Sequence, residues 1–482
     1  MNTQYHERNI SMVMDMYELT MSNGYLNQGF KDTWVAFDVF YRNNPDNGGF
    51  AIFAGLQQVV EYIENLHFSE EDVEYLRSKR LFTEEFLEYL LHFRFRGDIY
   101  AMKEGTVMYP NEPVITVVAP LIDAQLIETT ILLEINHQSL IATKTNRIVQ
   151  AANGKPVSDF GARRAHNVDA AVYGARAAYI GGAAGTATVL AGKMFHIPIS
   201  GTMAHSWVMT FDSEYDAFKA YAESYPDGTV LLVDTYDVLK SGVPNAIRTA
   251  REVLEPMGKK LMGIRLDSGD LAYLSKEARK MLDEAGLSDC MIVASNSLDE
   301  YTISSLNRQG AKIDSYGVGE RLITSSSTPV FGAVYKLVAI QKDGKFIPKI
   351  KISETAEKIT NPGIKEVYRV YDENGKAVAD YLAVKGEQIR DFDPVRYVDP
   401  VNYWKNRSFV GCRFKKLQVP VFEKGKRIYD LPDIEEIRQY VKDQLENEIW
   451  EEEQRFENAH THYLDMSPAM FELKMSLLHE EN

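Results

Sequence analysis

The sequence predicts an α/β protein: an irregular β/α barrel in the middle, an α+β domain before it, and a region of β-hairpins and helix after it. Three observations carry this prediction. Between residues 151 and 332 six short apolar runs alternate with helical stretches; strands separated by crossover helices build parallel sheets, and a series of about six favours a barrel, although alternation by itself does not separate a barrel from an open doubly wound sheet. Residues 1–150 mix helix-period and strand-period signals, the mark of an α+β domain. Residues 333–482 carry Asp343-Gly344 and Asn374-Gly375 between alternating apolar runs, a strong short-range hairpin signal.

The elements follow in chain order. From Ser69 to Phe93, the positions Val73, Leu76, Phe82, Phe86, Leu87, Leu90 and Leu91 recur at helical spacing and predict two short helices split near Leu81. Ile99 to Val118 is β-branched and punctuated by Gly105, Pro110 and Pro113, a pattern of short strands and turns, and Leu121 to Gln150 returns to helix. In the middle, strands are expected at Val157–Phe160, Phe195–Ile199, Val230–Val233, Leu261–Leu266, Met291–Ala294 and Ile313–Tyr316. Helices are expected at Ala217–Ser224, Ala246–Leu254, Lys276–Ala285 and Glu300–Arg308. Each strand ends in a polar or glycine-rich loop, and in a β/α barrel the strand C-terminal ends form one face, so these loops should converge. The last region predicts hairpins over Val334–Ile352 and Val367–Val384 and a final docked helix from Ile434 to about Phe456, with Ile437, Val441, Leu445 and Ile449 on one face.

Composition narrows the class. A chain of 482 residues with 45% hydrophobic content exceeds what one core serves, so two or three domains are expected. The two cysteines, Cys290 and Cys412, form no Cys-x-x-Cys motif and argue against disulfides, zinc sites and secretion, which makes the cytoplasm the expected compartment. Asp15 and Glu18 stand where an export signal would be basic and apolar, and no apolar run of about 18 residues occurs, so no membrane span is expected. A net charge of −16 disfavours binding to nucleic acid or anionic lipid, so an anionic substrate must be captured locally.

The chemistry sits in the loops. Gly201-Thr-Met-Ala-His-Ser-Trp207 places His205 behind the apolar run Phe195–Ile199, where a strand is expected to open into a loop. A neutral imidazole nitrogen is a nucleophile toward phosphorus, while a satisfied structural role beside Trp207 is the plain alternative. Arg265-Leu-Asp-Ser-Gly-Asp270 offers an arginine fork for phosphate and two carboxylates, Asp267 and Asp270, for ribose hydroxyls or a magnesium shell. The same string reads as a strand-to-helix turn with Ser268 or Asp270 as N-cap, and both roles can hold together. Gly317-Val318-Gly319 at a strand end can aim backbone N–H groups at a phosphate. Phe160 beside Arg163 and Arg164 could hold a flat aromatic acid, or the arginines could simply be solvated. Tyr17 poses the same choice between core aromatic and stacking plate.

Other classes are excluded by what is missing. Leu322 stands where a dinucleotide fingerprint needs its third glycine, so a dinucleotide-dependent oxidoreductase is not expected. Gly181 to Gly185 lacks the Gly-Lys-Ser or Gly-Lys-Thr of a P-loop, so ATP is not held by one. Val230 to Gly242 has Thr235 where the type I phosphoribosyltransferases carry the second acid of their loop, which rejects that class.

Five strings together are specific: Asp15-Met-Tyr-Glu-Leu-Thr-Met21, Asp159-Phe-Gly-Ala-Arg-Arg164, Gly201-Thr-Met-Ala-His-Ser206, Arg265-Leu-Asp-Ser-Gly-Asp270 and Tyr316-Gly-Val-Gly319. In order and spacing, from about residue 5 to about residue 420, the chain resembles the nicotinate phosphoribosyltransferase family of type II phosphoribosyltransferases. The resemblance implies an irregular α/β barrel, an α+β domain beside it, and an active site shared across a homodimer. It implies ATP-coupled formation of nicotinate mononucleotide and pyrophosphate from nicotinate and phosphoribosyl pyrophosphate, in NAD biosynthesis, with Mg2+ as cofactor and ATP as co-substrate. By position, His205 matches a transiently phosphorylated histidine, and Asp267 a catalytic carboxylate. Tyr17, Phe160, Arg163, Thr202 and Arg265 match the nicotinate side, Tyr17 being supplied by the partner subunit. Arg265, Ser268, Gly269, Asp270, Asn296, Gly317, Gly319 and Thr324 match the phosphoribosyl pyrophosphate side, and the resemblance leaves the metal ligands open. Where the related nicotinamide enzyme has an aspartate, this chain has Ala187, which removes a charge that would repel nicotinate. Nicotinamide or quinolinate transfer on the same barrel, and a nonenzymatic phosphosugar-binding regulator, are the competing readings.

Overall fold

Strand pairing across great sequence distances groups the chain. The computed structural model describes residues 8–355, 358–404 and 406–480. It divides into two units, Met1–Thr143 with Val330–Asn482, and Lys144–Pro329. The first and last of the three stretches distinguished by sequence pattern thus belong to one unit.

In the first unit the strand Trp34–Phe40 lies between Val334–Lys342 and Ile115–Pro120, antiparallel to both, with Phe37 opposite Leu337 and Val117. Its alternate residues Val35, Phe37 and Val39 enter one core with Ile115, Val117 and the helix residues Val73, Leu76, Phe86, Leu87 and Leu90. The two short helices are Glu70–Ser78 and Glu84–Leu91, each started by a hydroxyl cap: Ser69 accepts from the Asp72 amide at 3.1 Å and Thr83 from the Phe86 amide at 3.4 Å. Both hairpins form. Asp343 and Gly344 have φ of 48° and 76°, the two left-handed positions of a type I′ turn. At Asn374-Gly375 only the glycine is left-handed, and the Lys376 carbonyl bonds Asp372 across a longer turn with a bulge at Tyr371.

The expected final helix is interrupted. Ile434–Asp443 is helical, widens into a π turn over Gln444–Glu448, and breaks at Ile449 before a single turn at Glu451–Gln454. Gln444 explains the widening: buried, it accepts from the Val107 amide at 3.0 Å and donates to the Gly105 carbonyl at 2.9 Å. A further helix, Pro468–Glu480, follows. Its start was legible, since Ser467 caps the Met470 amide at 3.0 Å ahead of a proline at the first helical position.

Asp15 opens the helix Met16–Asn27 with a capping box closed by Glu18. Glu18 is fully buried, and among the described residues one of its carboxylate oxygens has no hydrogen-bond partner. Burial pushes its carboxyl up from 4.5 to about 7, against the opposing hydrogen bond from Thr129. The fold therefore keeps a proton that the unfolded chain releases, so the contribution of Glu18 to stability is fully present below 4.5 and is lost as pH rises through the window to about 7. Glu18→Gln is expected to flatten that decline, read as melting temperature against pH; an unchanged profile would place the titration elsewhere.

The second unit is a parallel sheet that curls into a barrel-like core. Its strands run in the order Gly185–Thr186, Val157–Asp159, Ser315–Val318, Met291–Ala294, Gly263–Leu266, Val230–Leu232. The crossover helices include Glu214–Ser224, Val243–Thr249, Leu271–Glu284 and Glu300–Arg308. One expected strand is corrected. Phe195 ends a helix, Val189–Phe195, His196 is left-handed at φ 59°, and of Phe195–Ile199 only Ile199 pairs, in a lone parallel bridge with Thr186. Pro198 interrupts the run and has no N–H to donate to a ladder. The short Gly185–Thr186 strand takes the expected place beside Val157–Asp159. No helix among the described residues is long and apolar enough to cross a membrane, and both cysteines are free and buried.

Candidate active site

The strand ends of the second unit deliver their side chains to one place. Arg265, near the end of the strand Gly263–Leu266, donates from Nε to Ser295 Oγ at 2.8 Å, from Nη1 to Thr202 Oγ1 at 3.1 Å and from Nη2 to Asp267 Oδ1 at 3.0 Å. Ser295 in turn donates to the same Asp267 oxygen. A guanidinium has five N–H groups. Three are engaged here, and the other two carry no hydrogen bond among the described residues. This is a pre-oriented fork with capacity left for a carboxylate or phosphate.

The guanidinium carbon also lies 5.5 Å from the centre of the Phe160 ring. That ring is seated against Gly317, where an added Cβ would fall 2.4 Å from a ring carbon, so only glycine fits beneath it. The Phe160 amide donates to the Val318 carbonyl at 2.8 Å. The glycines of Gly317-Val318-Gly319 therefore serve close packing as well as a loop opening into the one-turn helix Glu320–Ile323.

His205 begins the short helix His205–Thr210 and is partly exposed. Its Nδ1 lies 3.1 Å from Thr235 Oγ1 and its Nε2 3.8 Å from Asp267 Oδ2. Asp234, to which the sequence assigns no role, is central. One of its oxygens accepts from the Asp267 amide at 3.1 Å and from Ser268 Oγ at 2.6 Å, while the other is buried without a partner among the described residues. The available signal was an acid directly behind the buried strand Val230–Leu232.

The other expected positions vary. Asp270 caps the helix Leu271–Glu284 through the Tyr273 amide at 3.0 Å, which is the structural alternative foreseen for it, and Gly269 takes the left-handed φ of 78°. Asn296 follows the strand Met291–Ala294 with a left-handed φ of 89°, a strained backbone for a non-glycine residue at a strand end. Thr324 is half-buried and its hydroxyl donates to the Glu320 carbonyl at 2.7 Å. Arg163 is exposed on the turn after Phe160, and Arg164 lies 3.5 Å from Glu320. Tyr17 belongs to the first unit and is part-exposed; burial and then Glu128 raise its phenol above the ordinary range. Among the described residues no group of three or more His, Cys, Asp or Glu side chains forms a metal cage.

Most of the chain matches three family models: the nicotinate phosphoribosyltransferase (NAPRTase) N-terminal domain over residues 12–136, the NAPRTase family over 156–374, and the C-terminal domain over 364–474. The chain belongs to the nicotinate phosphoribosyltransferase family. It is 46% identical over 477 residues to the nicotinate phosphoribosyltransferase of Bacillus subtilis, covering 99% of this chain and 96% of the relative. It is 36% identical over 517 residues to that of Dictyostelium discoideum, covering 96% and 87%. The crystal structure of human nicotinic acid phosphoribosyltransferase superposes with a TM-score of 0.86 at 27% identity, covering 96% of this chain and 99% of that one. As a nicotinate phosphoribosyltransferase-type enzyme, the chain carries its Arg265, Asp267, His205, Thr202 and Phe160 in one cluster, from three separate chain segments.

Proposed function

We propose that this enzyme transfers the phosphoribosyl group of phosphoribosyl pyrophosphate to the ring nitrogen of nicotinate, releasing pyrophosphate, with ATP hydrolysis coupled through His205. The observation that carries the reading is the Arg265 fork: three N–H groups held by Ser295, Thr202 and Asp267, two left over, and the Phe160 ring 5.5 Å away. An aromatic acid needs this pairing of a flat apolar face with a bidentate cation. Ala187, exposed at the end of the neighbouring strand, leaves the acid unopposed by a carboxylate.

In the reaction, the bond between ribose C1 and the pyrophosphate oxygen breaks as the nicotinate nitrogen bonds to C1. Positive charge grows on the sugar, and the Asp267 carboxylate is suited to stabilise it. Phe160, with Tyr17 from the partner subunit of a homodimer, would hold the ring in line, which removes orientational freedom before the chemical step. Asp234 and Asp267 supply hard oxygens suited to Mg2+, and the unpartnered Asp234 oxygen fits a metal-bound pyrophosphate. Magnesium, when bound, would neutralise charge on the departing pyrophosphate. In the coupling step a ring nitrogen of His205 takes the γ-phosphoryl group of ATP, and ADP leaves. Asp267, 3.8 Å from Nε2, links that event to the sugar side.

The test is pyrophosphate release from phosphoribosyl pyrophosphate and nicotinate, with and without ATP. His205→Ala is expected to retain transfer and lose its ATP stimulation. Stimulation of undiminished size in that variant would end the phosphohistidine role, and preference for nicotinamide or quinolinate would end the reading of Ala187. Binding without pyrophosphate release would favour the nonenzymatic regulator.

A further inference from the structure

Asp159 ends the strand Val157–Asp159 and is fully buried, and among the described residues it has no ionic partner. Both its oxygens are used. One accepts from the Gly161 amide at 2.8 Å, the other from Thr186 Oγ1 at 2.7 Å. That Thr186 oxygen accepts in its turn from the Thr188 amide at 2.9 Å. The Asp159 carbonyl also takes the Ala187 amide at 2.8 Å. The Thr186 backbone bonds both ways to the segment leading toward His205: its amide donates to Pro198 at 3.0 Å and its carbonyl accepts from the Ser200 amide at 3.0 Å.

Two loops are thus tied to one carboxylate–hydroxyl pair, Phe160-Gly161 and Ala187-Thr188, while the run into Gly201–His205 is tied to Thr186 through its backbone. Gly161 has no slack of its own, since a Cβ there would fall 2.5 Å from Ile323 Cβ. Burying a carboxylate without a cation is costly, and burial raises the Asp159 carboxyl above its ordinary range. A turn alone could be closed by a neutral side chain; a carboxylate satisfied on both oxygens fixes two loops against each other.

We propose that Asp159 and Thr186 form a positioning clamp that sets the gap between the Phe160 ring and the Ala187 loop, and so fixes how tightly the pyridine ring is held. Neither residue touches the reacting atoms. The proposal rests on the nicotinate-transfer reading. Its specific consequence is a split between the two substrates: the Phe160 ring site loosens, while the Asp267–Asp234 side, carried by the segments after other strands, keeps its geometry.

Thr186→Val removes the hydroxyl at nearly constant volume, and Thr186→Ser restores it. Thr186→Val is expected to raise the KM for nicotinate about tenfold or more, the scale at which small misplacements act, with the KM for phosphoribosyl pyrophosphate within about twofold of wild type. Thr186→Ser should return the nicotinate KM toward wild type, and Asp159→Asn should reproduce the split. An active wild type with an unchanged Thr186→Val variant overturns the clamp alone. So does a rise of both KM values together with a lowered melting temperature, or a Thr186→Val chain that fails to fold, because the pair is then only structural. A wild type that releases no pyrophosphate overturns the functional reading and the clamp with it.

Discussion

Arg265→Ala is expected to lower kcat/KM for nicotinate by about a thousandfold or more. Loss of one pre-oriented donor at a developing charge costs about 10²–10³. Arg265 does more than one such job. Its guanidinium holds Thr202, Ser295 and Asp267 in register, so truncation frees the Asp267 carboxylate from its nearest cation at 3.0 Å. It also removes the fork offered to the substrate. Arg265→Lys should recover little, because an ammonium has no planar fork and cannot span the three acceptors. Steady-state kinetics on both variants, with melting temperature as the control for folding, makes the comparison. Activity of Arg265→Ala within about tenfold of wild type would remove Arg265 from the centre of the site.

Arg369→Ala is expected to destabilise the first unit by about 3–5 kcal/mol, the usual cost of removing one partner from a buried ion pair. Arg369 is fully buried and donates to both oxygens of Asp380, at 2.9 and 2.7 Å, and to the Val107 carbonyl at 2.8 Å. Around it sit Glu112, Glu453 and His462, with Tyr109 stacked on the His462 ring at 3.7 Å and donating to Glu453 at 2.6 Å. Burial alone would raise the Asp380 carboxyl, yet Arg369 and its neighbours hold it far below the ordinary range, while burial and Asp380 push Glu112 well above it. Without Arg369 a buried carboxylate is left beside two others. A drop in the unit's melting temperature of the order of 10 °C follows from that cost, and a variant that melts with the wild type would contradict the ion pair's role.

Which sequence signals were legible depends on their range. The two short helices on either side of Leu81, the Asp343-Gly344 turn and the parallel strands around Arg265 rest on local chemistry and appear where the sequence predicts them. Phe195–Ile199 misled because an apolar run fits a buried helix end as well as a strand, and Pro198 decided against a ladder. The helix after Ile434 broke at Ile449 because Gln444 finds its partners at Gly105 and Val107, more than 300 residues away in sequence. In the site, Arg265, Asp267, Phe160 and His205 stood out by residue type at strand ends. Asp234 did not, because its role comes from the Asp267 amide and the Ser268 hydroxyl, in the loop after another strand. Asp159 was quoted within a motif, yet its tie to Thr186 exists only once their two strands lie side by side.

The sequence by itself determined the chemistry available: a histidine, an arginine, carboxylates and aromatic rings, each placed behind a predicted strand or turn by its neighbours' periodicity and by glycine and proline. Only the tertiary structure decided which of them meet. Strand register and long-range pairing, such as Phe37 with Leu337 and Asp159 with Thr186, are set by packing between segments far apart in the chain. Local propensity carries no information about partners at that distance.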